Sequence, residues 1–424
     1  MTNHGIRVRL WVAAHLSLVG AIGSMSHSGC AQAPAESAPT AVAAAPGQVA
    51  SDDPFGKDAG VIKYGRASVP AKAAGSIRLA AYNVENLFDD KDDPTLSGRY
   101  DDLGLTTTDG QCRNVAAAIK ALDADVMILE EVESEEALRW FRDTYLKDLG
   151  YDHIKSFDAG YERGVEQSVL SRFPIKDAKV FAGERIDDMA ARRVGGGWTA
   201  ARAGHEPDLF GRNPIRAVID GPGDYELILY GVHLKAGGGD DSAAQREAES
   251  LQVREFVKAD LAANPNANVA VLGDFNATPL QRAYALQLKG NAEKGDGAGV
   301  GIGAYDFRDR TRPMDEYRTH VSARTIDYIV MSEGLAADAV EGTFVVLGTP
   351  FPGEEQQKRV LAWIKKGYPR GEEPVRHPQQ ASDHYPIAID LDPSKDVPVA
   401  LAPAGSTASP ESGPTPAVPP KAAD

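Results

Sequence analysis

The chain is short of cysteine, of long apolar runs and of basic residues. Of 424 residues only two are cysteine, Cys30 and Cys112. That excludes a disulfide framework and any zinc site built on cysteines. Outside the N-terminus no apolar stretch reaches the roughly 18 residues a spanning helix needs, which excludes a polytopic membrane protein. No fixed-period repeat is present, which argues against a repeat array. Lysine and arginine total 45 against 61 aspartates and glutamates, for a net charge of -16. The surplus sits in residues 76–392, with 37 basic and 54 acidic groups. Such a field repels nucleic acid at long range and excludes indiscriminate DNA coating. It suits an enzyme that gathers divalent cations. With 42 % hydrophobic residues, wholesale disorder is excluded as well.

What is present is laid out in order. Arg7 and Arg9 precede Leu10–Gly23, which is apolar except for His15 and Ser17. A basic segment before 7–15 apolar residues reads as a signal peptide, here residues 1–30. The run is short for the alternative, a single anchoring helix. Two cleavage points compete. Ser28-Gly29-Cys30 resembles a bacterial lipoprotein box, although His27 stands where that box normally has Leu. Ala31-Gln32-Ala33 offers the small-x-small pattern of ordinary signal peptidase. The expected location is periplasmic or extracellular, with a lipid anchor to the outer membrane at Cys30 as one outcome. Residues 31–75 read as a flexible linker, and 393–424 as a disordered Pro/Ala-rich tail. The folded domain is expected over 76–392, and Cys112 is expected to be a small, partly buried thiol.

Inside that domain, strands and helices alternate. Apolar strands are expected at Ile77–Leu87, Asp125–Val132, Val165–Arg172, Tyr225–Leu234, Asn268–Phe275, Thr325–Met331 and Pro386–Leu391. Helical spacing marks Asn114–Leu122, Ser134–Leu149 and Ser242–Leu261. Long loops are expected at Gly183–Asn213 and Gly295–Gly303. The pattern predicts an α/β or α+β domain with mixed sheets packed inside helices.

Polar groups gather where these strands end. Asn83, Glu85 and Asn86 lie late in the first, Glu130, Glu131 and Glu133 late in the second. His233 and Lys235 close the YELILYGV strand, Asp274 and Asn276 follow NVAVL, and Asp383 and His384 precede the last strand. Asn83, Glu131, Asp274, Asn276 and Asp383 offer hard oxygens that suit Mg²⁺, Mn²⁺ or Ca²⁺ rather than zinc. His233 and His384 offer imidazoles that hold a phosphate oxygen or move a proton. Oxygen-bound metal beside histidines is equipment for phosphoryl transfer.

The ordered set YNVEN, DVMILEEVE, SVLSRFPI, GVHLK, GDFNATP, TIDYIVMS and SDHYPI resembles the endonuclease/exonuclease/phosphatase superfamily, over about residues 76–392. The resemblance implies an α+β fold: a four-layer α/β/β/α sandwich of two mixed β-sheets with flanking helices. It implies an exported, divalent-metal-dependent phosphoesterase that cleaves phosphodiester bonds. A nuclease that grips nucleic acid weakly is the leading expectation. The alternative is a phosphatase or phosphodiesterase for lipid headgroups or small phosphate esters, and a non-catalytic binding protein of the same fold is a third reading. By resemblance the metal ligands are Asn83, Glu131 and Asp383, with Mg²⁺ (or Mn²⁺/Ca²⁺) as the ion. His233 and His384 contact phosphate, Asp274 orients or deprotonates water, Asn276 holds the phosphate and Asp327 orients His384. Two features depart from the family pattern. Glu130 stands where Gln is usual, and Glu166, in a segment without a clean match, is a candidate His partner. Arg192, Arg193, Arg212 and Arg216 are candidate phosphate contacts. No obligate protein partner is evident.

Overall fold

The computed structural model describes residues 61–91, 106–161, 164–186, 209–281, 283, 311–351, 353–366 and 380–396. The signal peptide, Cys30, Arg192, Arg193 and most of both expected long loops lie outside the described residues, as does the tail beyond 396.

Among the described residues eleven strands form two sheets. They are β1 (Ile77–Leu87), β2 (Val126–Val132), β3 (His153–Phe157), β4 (Glu166–Ser171), β5 (Ile175–Val180), β6 (Ile215–Asp220), β7 (Glu226–His233), β8 (Val269–Asp274), β9 (Asp327–Met331), β10 (Val345–Val346) and β11 (Ile387–Leu391). The first sheet runs β10-β11-β1-β2-β4-β3 and the second β5-β6-β7-β8-β9. Each is mixed: β1 is parallel to β2, β7 is parallel to β8, and the other pairs are antiparallel.

Period-two alternation makes the layers. Leu79, Ala81, Ile128 and Val169 of the first sheet meet Ile215, Leu229, Ala270 and Leu272 of the second in one shared core. The intervening residues face outward onto helices. Ala80, Tyr82, Met127 and Leu129 pack with helices α1 (Asp109–Leu122) and α2 (Glu135–Tyr145). Tyr230, Val232 and Val271 pack against Ala244, Ala248, Leu251 and Val257 of α3 (Asp240–Ala263). The expected α/β/β/α sandwich is present. Local signals start the first two helices. Thr108 accepts the Gln111 N–H and Ser134 the Ala137 N–H, and Asp109, Glu135 and Glu136 complement the helix dipoles.

The ordered domain begins before residue 76. Tyr64 is buried edge-on to Phe351 and Tyr385, Arg66 bridges Leu347, and the Lys72 ammonium lies 2.9 Å from Asp125. Residues 61–75 are therefore a packed strap rather than linker. At the far end, Pro393–Lys395 forms a turn of 3₁₀ helix and Asp396 accepts from Asn268, so the expected boundary at 393 also falls inside ordered chain.

Candidate active site

The site sits where β1, β2, β7 and β8 end and β9 begins. The alternation that builds the core points Asn83, Glu130, His233, Asp274 and Asp327 between the sheets at this end. Here the apolar series gives way to polar residues, all at most 5 % exposed.

Two irregularities re-aim side chains. The β1/β2 register shifts between Asn83 and Leu87, and the β2/β4 register shifts between Glu130 and Val132. The second is a bulge at Glu131, which takes φ 66°. Without it Glu131 would face the helices, as Leu129 does. With it, Glu131 reaches the inter-sheet side, 3.8 Å from His233 Nε2 and 3.4 Å from the Asn83 amide nitrogen. Among the described residues six non-glycine positions have positive φ, and Glu85, Asn86, Glu131, Asn276 and Ala323 all belong to the loops and bulges around this site. Backbone strain is concentrated where the chemistry would be.

Asp274 is the centre of the arrangement. Its Oδ2 lies 3.4 Å from His233 Nε2 and 3.7 Å from His384 Nε2. Asn276 donates its backbone N–H to Oδ1 at 2.8 Å and its amide to Oδ2 at 3.1 Å. Burial pushes the Asp274 carboxyl up to about 7, against the pull of His384 and with the push of Asp327. Burial alone would depress His384, but the Asp327 and Asp274 carboxylates hold its pKa well above the ordinary histidine value. Both Asp327 oxygens stand 3.0 Å from His384 Nδ1. His384 is thus an imidazolium held in place, with Nε2 aimed at Asp274.

Glu130 lies beneath this layer, fully buried, with no hydrogen-bond partner for either oxygen among the described residues. Gly273 makes room for it. At φ 126° a Cβ there would collide with Glu130 Oε1 and with the Val232 carbonyl. Burial, then the Asp327 and Asp274 charges, push the Glu130 carboxyl far up, so it is a neutral acid in the core rather than a second acidic contact. Glu166 accepts the Ala159 N–H, and burial pushes its carboxyl up to about 8. Arg216 is held by Asp260 at 2.9 Å and Asp177 at 3.3 Å. Arg212 is buried, donates to the Leu234 carbonyl at 3.3 Å and leaves its Nε without a partner among the described residues. Of the two candidate arginines among the described residues, Arg212 is the one whose charge acts on Asp274. The Leu234 carbonyl also takes the Asn276 amide at 3.0 Å.

Asp383 donates its backbone N–H to Glu85 Oε2 at 2.6 Å, and its carboxylate lies 3.4 Å from His320 Nε2 and 3.9 Å from His384 Nε2. His320 escaped the sequence reading. It is 3 % exposed and its ring meets that of His384 edge-on at 4.7 Å. Burial lowers its pKa, opposed by Asp383.

These positions identify a family. A model of the Endonuclease/Exonuclease/phosphatase family matches residues 81–384. The chain belongs to that family. Its members are phosphoric-ester hydrolases. The human Nocturnin catalytic domain with bound sulfate is similar in structure at 14 % identity, covering 76 % of this chain and 95 % of that one, with a TM-score of 0.46. Sphingomyelinase C from Streptomyces griseocarneus is similar at 16 % identity, covering 74 % and 99 %, with a TM-score of 0.44. Truncated Caenorhabditis elegans TDP2 is similar at 14 % identity, covering 74 % and 97 %, with a TM-score of 0.41. No curated protein sequence matches.

Side-chain donors for a metal fall into two tight groups among the described residues, His320–Asp383–His384 and Asp274–Asp327–His384. His384 belongs to both, with Nδ1 held by both Asp327 oxygens and Nε2 facing Asp274. The Asp274–His384–Asp327 series therefore reads as a proton-handling unit. The other hard-oxygen candidates for a cation are Glu131, Asn83 and Asp383; the Asn83 amide nitrogen faces Glu131 Oε1 at 3.4 Å, and its oxygen accepts the Glu85 N–H at 3.0 Å. The crowding of carboxylates against two histidines gives such a cation an electrostatic reason to bind.

Proposed function

We propose that the protein is an exported, divalent-metal-dependent phosphodiesterase whose substrate is nucleic acid, gripped at few phosphates. The observation that carries the reading is Asp274 Oδ2 set between the Nε2 atoms of His233 and His384. A phosphate drawn to two imidazoles and Arg212 would place its phosphorus beside a carboxylate able to accept a proton from water. A carboxyl whose pKa is near neutrality is matched to that task. His384, kept charged by Asp327, stabilises the negative charge that grows on phosphate oxygens, and Asn276 fixes Asp274 and faces the same space. Glu131, with Asn83 and Asp383, would hold a Mg²⁺-like ion, which neutralises oxyanion charge when bound.

The acidic surface argues for a weak grip. With roughly two to four phosphate contacts, the salt dependence on duplex DNA should have a slope of about -0.9 per contact. The test is a panel of DNA, RNA, sphingomyelin, inositol phosphates and a bis-aryl phosphate, each with and without chelator. Cleavage of nucleic acid that chelator abolishes and Mg²⁺ or Mn²⁺ restores is the expected result. Full turnover in excess chelator removes the metal from the mechanism. Brisk turnover of a lipid or small diester, with none of DNA or RNA at low salt, transfers the site to that substrate class. Globomycin-sensitive processing and acylation of Cys30 would establish the lipid-anchored form.

A further inference from the structure

His320 is drawn into the site by a compact turn. The His320–Arg324 bridge closes it, with Ala323 at φ 61°. Ser322 donates its backbone N–H to His320 Nδ1 at 3.0 Å, and its hydroxyl lies 2.6 Å from the same nitrogen. Arg324 Nε donates to that hydroxyl at 2.7 Å. An Nδ1 that accepts leaves the proton on Nε2. That Nε2 faces Asp383 Oδ2 at 3.4 Å. The contact is long, of a kind that tightens when the carboxylate gains its other partner. The backbone locks the two segments together. Val321 donates its N–H to the Asp383 carbonyl at 2.9 Å, and Tyr385 to the Thr319 carbonyl at 2.8 Å.

We propose that His320 is a positioning residue for Asp383, its Nε2–H holding the carboxylate in the orientation that ligates a divalent cation. The inference rests on the metal-dependent reading of the site. It separates two histidines whose rings touch. His384 has a carboxylate on Nδ1 and turns Nε2 toward the reacting phosphate. His320 has a serine on Nδ1 and turns Nε2 toward a ligand. Partners of metal-ligating carboxylates are typically worth about 10- to 100-fold in metal affinity or activity.

The experiment compares wild type with His320→Ala, His320→Gln and His320→Asn, using the whole secreted chain. The glutamine amide can donate from about the place of Nε2, whereas the shorter asparagine amide ends near Nδ1. Mg²⁺ and Mn²⁺ dissociation constants are measured by calorimetry, alongside kcat and KM on a bis-aryl phosphate and melting in chelator. The expected result is metal affinity weakened by about 10-fold or more in the alanine and asparagine variants, with most of it restored in the glutamine variant. Should the alanine variant fail to fold, the asparagine–glutamine pair carries the test. Wild-type affinity in the alanine variant, or equal affinity in the asparagine and glutamine variants, overturns the inference. A wild-type protein that binds neither metal overturns the reading of the site and this inference with it.

Discussion

Three neighbouring strands carry charge at both ends, and the two ends solve opposite problems. At one end Arg78 of β1 grips Asp390 of β11 through Nε at 2.6 Å and Nη2 at 3.0 Å. Beside it Asp125, just before β2, takes the Arg78 backbone N–H, Lys72 and Arg172. Asp125 and Asp390 each have a matching cation, so these charges hold the fold together. At the other end the same strands lead to Asn83, Glu131 and His384, and four carboxylates, Glu131, Asp274, Asp327 and Asp383, crowd around histidines. Most of the left-handed non-glycine backbone, and the buried Glu130 without a hydrogen-bond partner, lie at that end among the described residues. Paired charge makes structure, whereas the surplus carboxylates hold His384 charged against its burial, and Asp327 adds to the burial that raises Asp274.

Removing one charge from each end should break this contrast in different observables. Asp390→Ala leaves the Arg78 guanidinium buried alone and should cost about 3–5 kcal/mol of stability. Denaturant unfolding would show it, and kcat of the folded fraction should stay within about twofold. His384→Ala at the other end should reverse the pattern. Turnover of the folded protein should fall on the order of 10²-fold, equivalent to about 2.7 kcal/mol. Wild-type turnover in a folded His384→Ala protein would remove His384 from the mechanism.

A finer test acts through the carboxylate that charges His384. Asp327→Asn should lower turnover by about 10-fold. It should also move the alkaline limb of the pH–rate profile to lower pH, because the imidazolium loses the partner that raises its pKa. A limb that stays in place would show that another group sets it.

The smallest effect on turnover belongs to Glu130. Its pKa is raised in the folded protein, so the folded state holds a proton that the unfolded chain releases above its ordinary value. The associated stability is complete below the unfolded pKa and is lost as pH rises toward the folded pKa, by up to about 1.4 kcal/mol per pH unit. Glu130→Gln should therefore leave activity nearly intact and flatten the decline of stability above about pH 4.5. Unfolding free energies measured between pH 5 and 9 would check it, and parallel curves for the two proteins would show that Glu130 is not the group responsible.

Much of this was legible before the structure. Asn83, Glu131, His233, Asp274, Asn276, Asp327, Asp383 and His384 each stand beside an apolar strand inside a distinctive motif, and strand ends converge in a sandwich. Strands β3, β5, β6 and β10 were not legible. β5 has only half-buried and exposed positions, β10 is two residues long, and β6 follows a stretch that reads as loop. The bulge at Glu131 is a one-residue slip that leaves no compositional trace, so the turn of Glu131 toward the inter-sheet side could not be foreseen. His320 lies in a turn rather than a strand-end motif. Its signal is a lone histidine two residues before a serine and seven before Asp327, too common a pattern to stand out. The strap at 61–75 is held by partners some 50 to 320 positions away, including Asp125 and Asp390, which local reading does not reach.

The pairing of β1 with β11 has a consequence for when the protein can act. Ile77 pairs with Leu391 and Ala81 with Ile387, across more than 300 residues of chain. Such distant closure is slow relative to local helix formation. His384 and Asp383 are delivered by the segment that enters β11, after every other site residue has been synthesised. A growing or incompletely folded chain thus carries its carboxylates but not its last imidazole. Hydrolytic competence arrives with the final strand, as a late event of maturation.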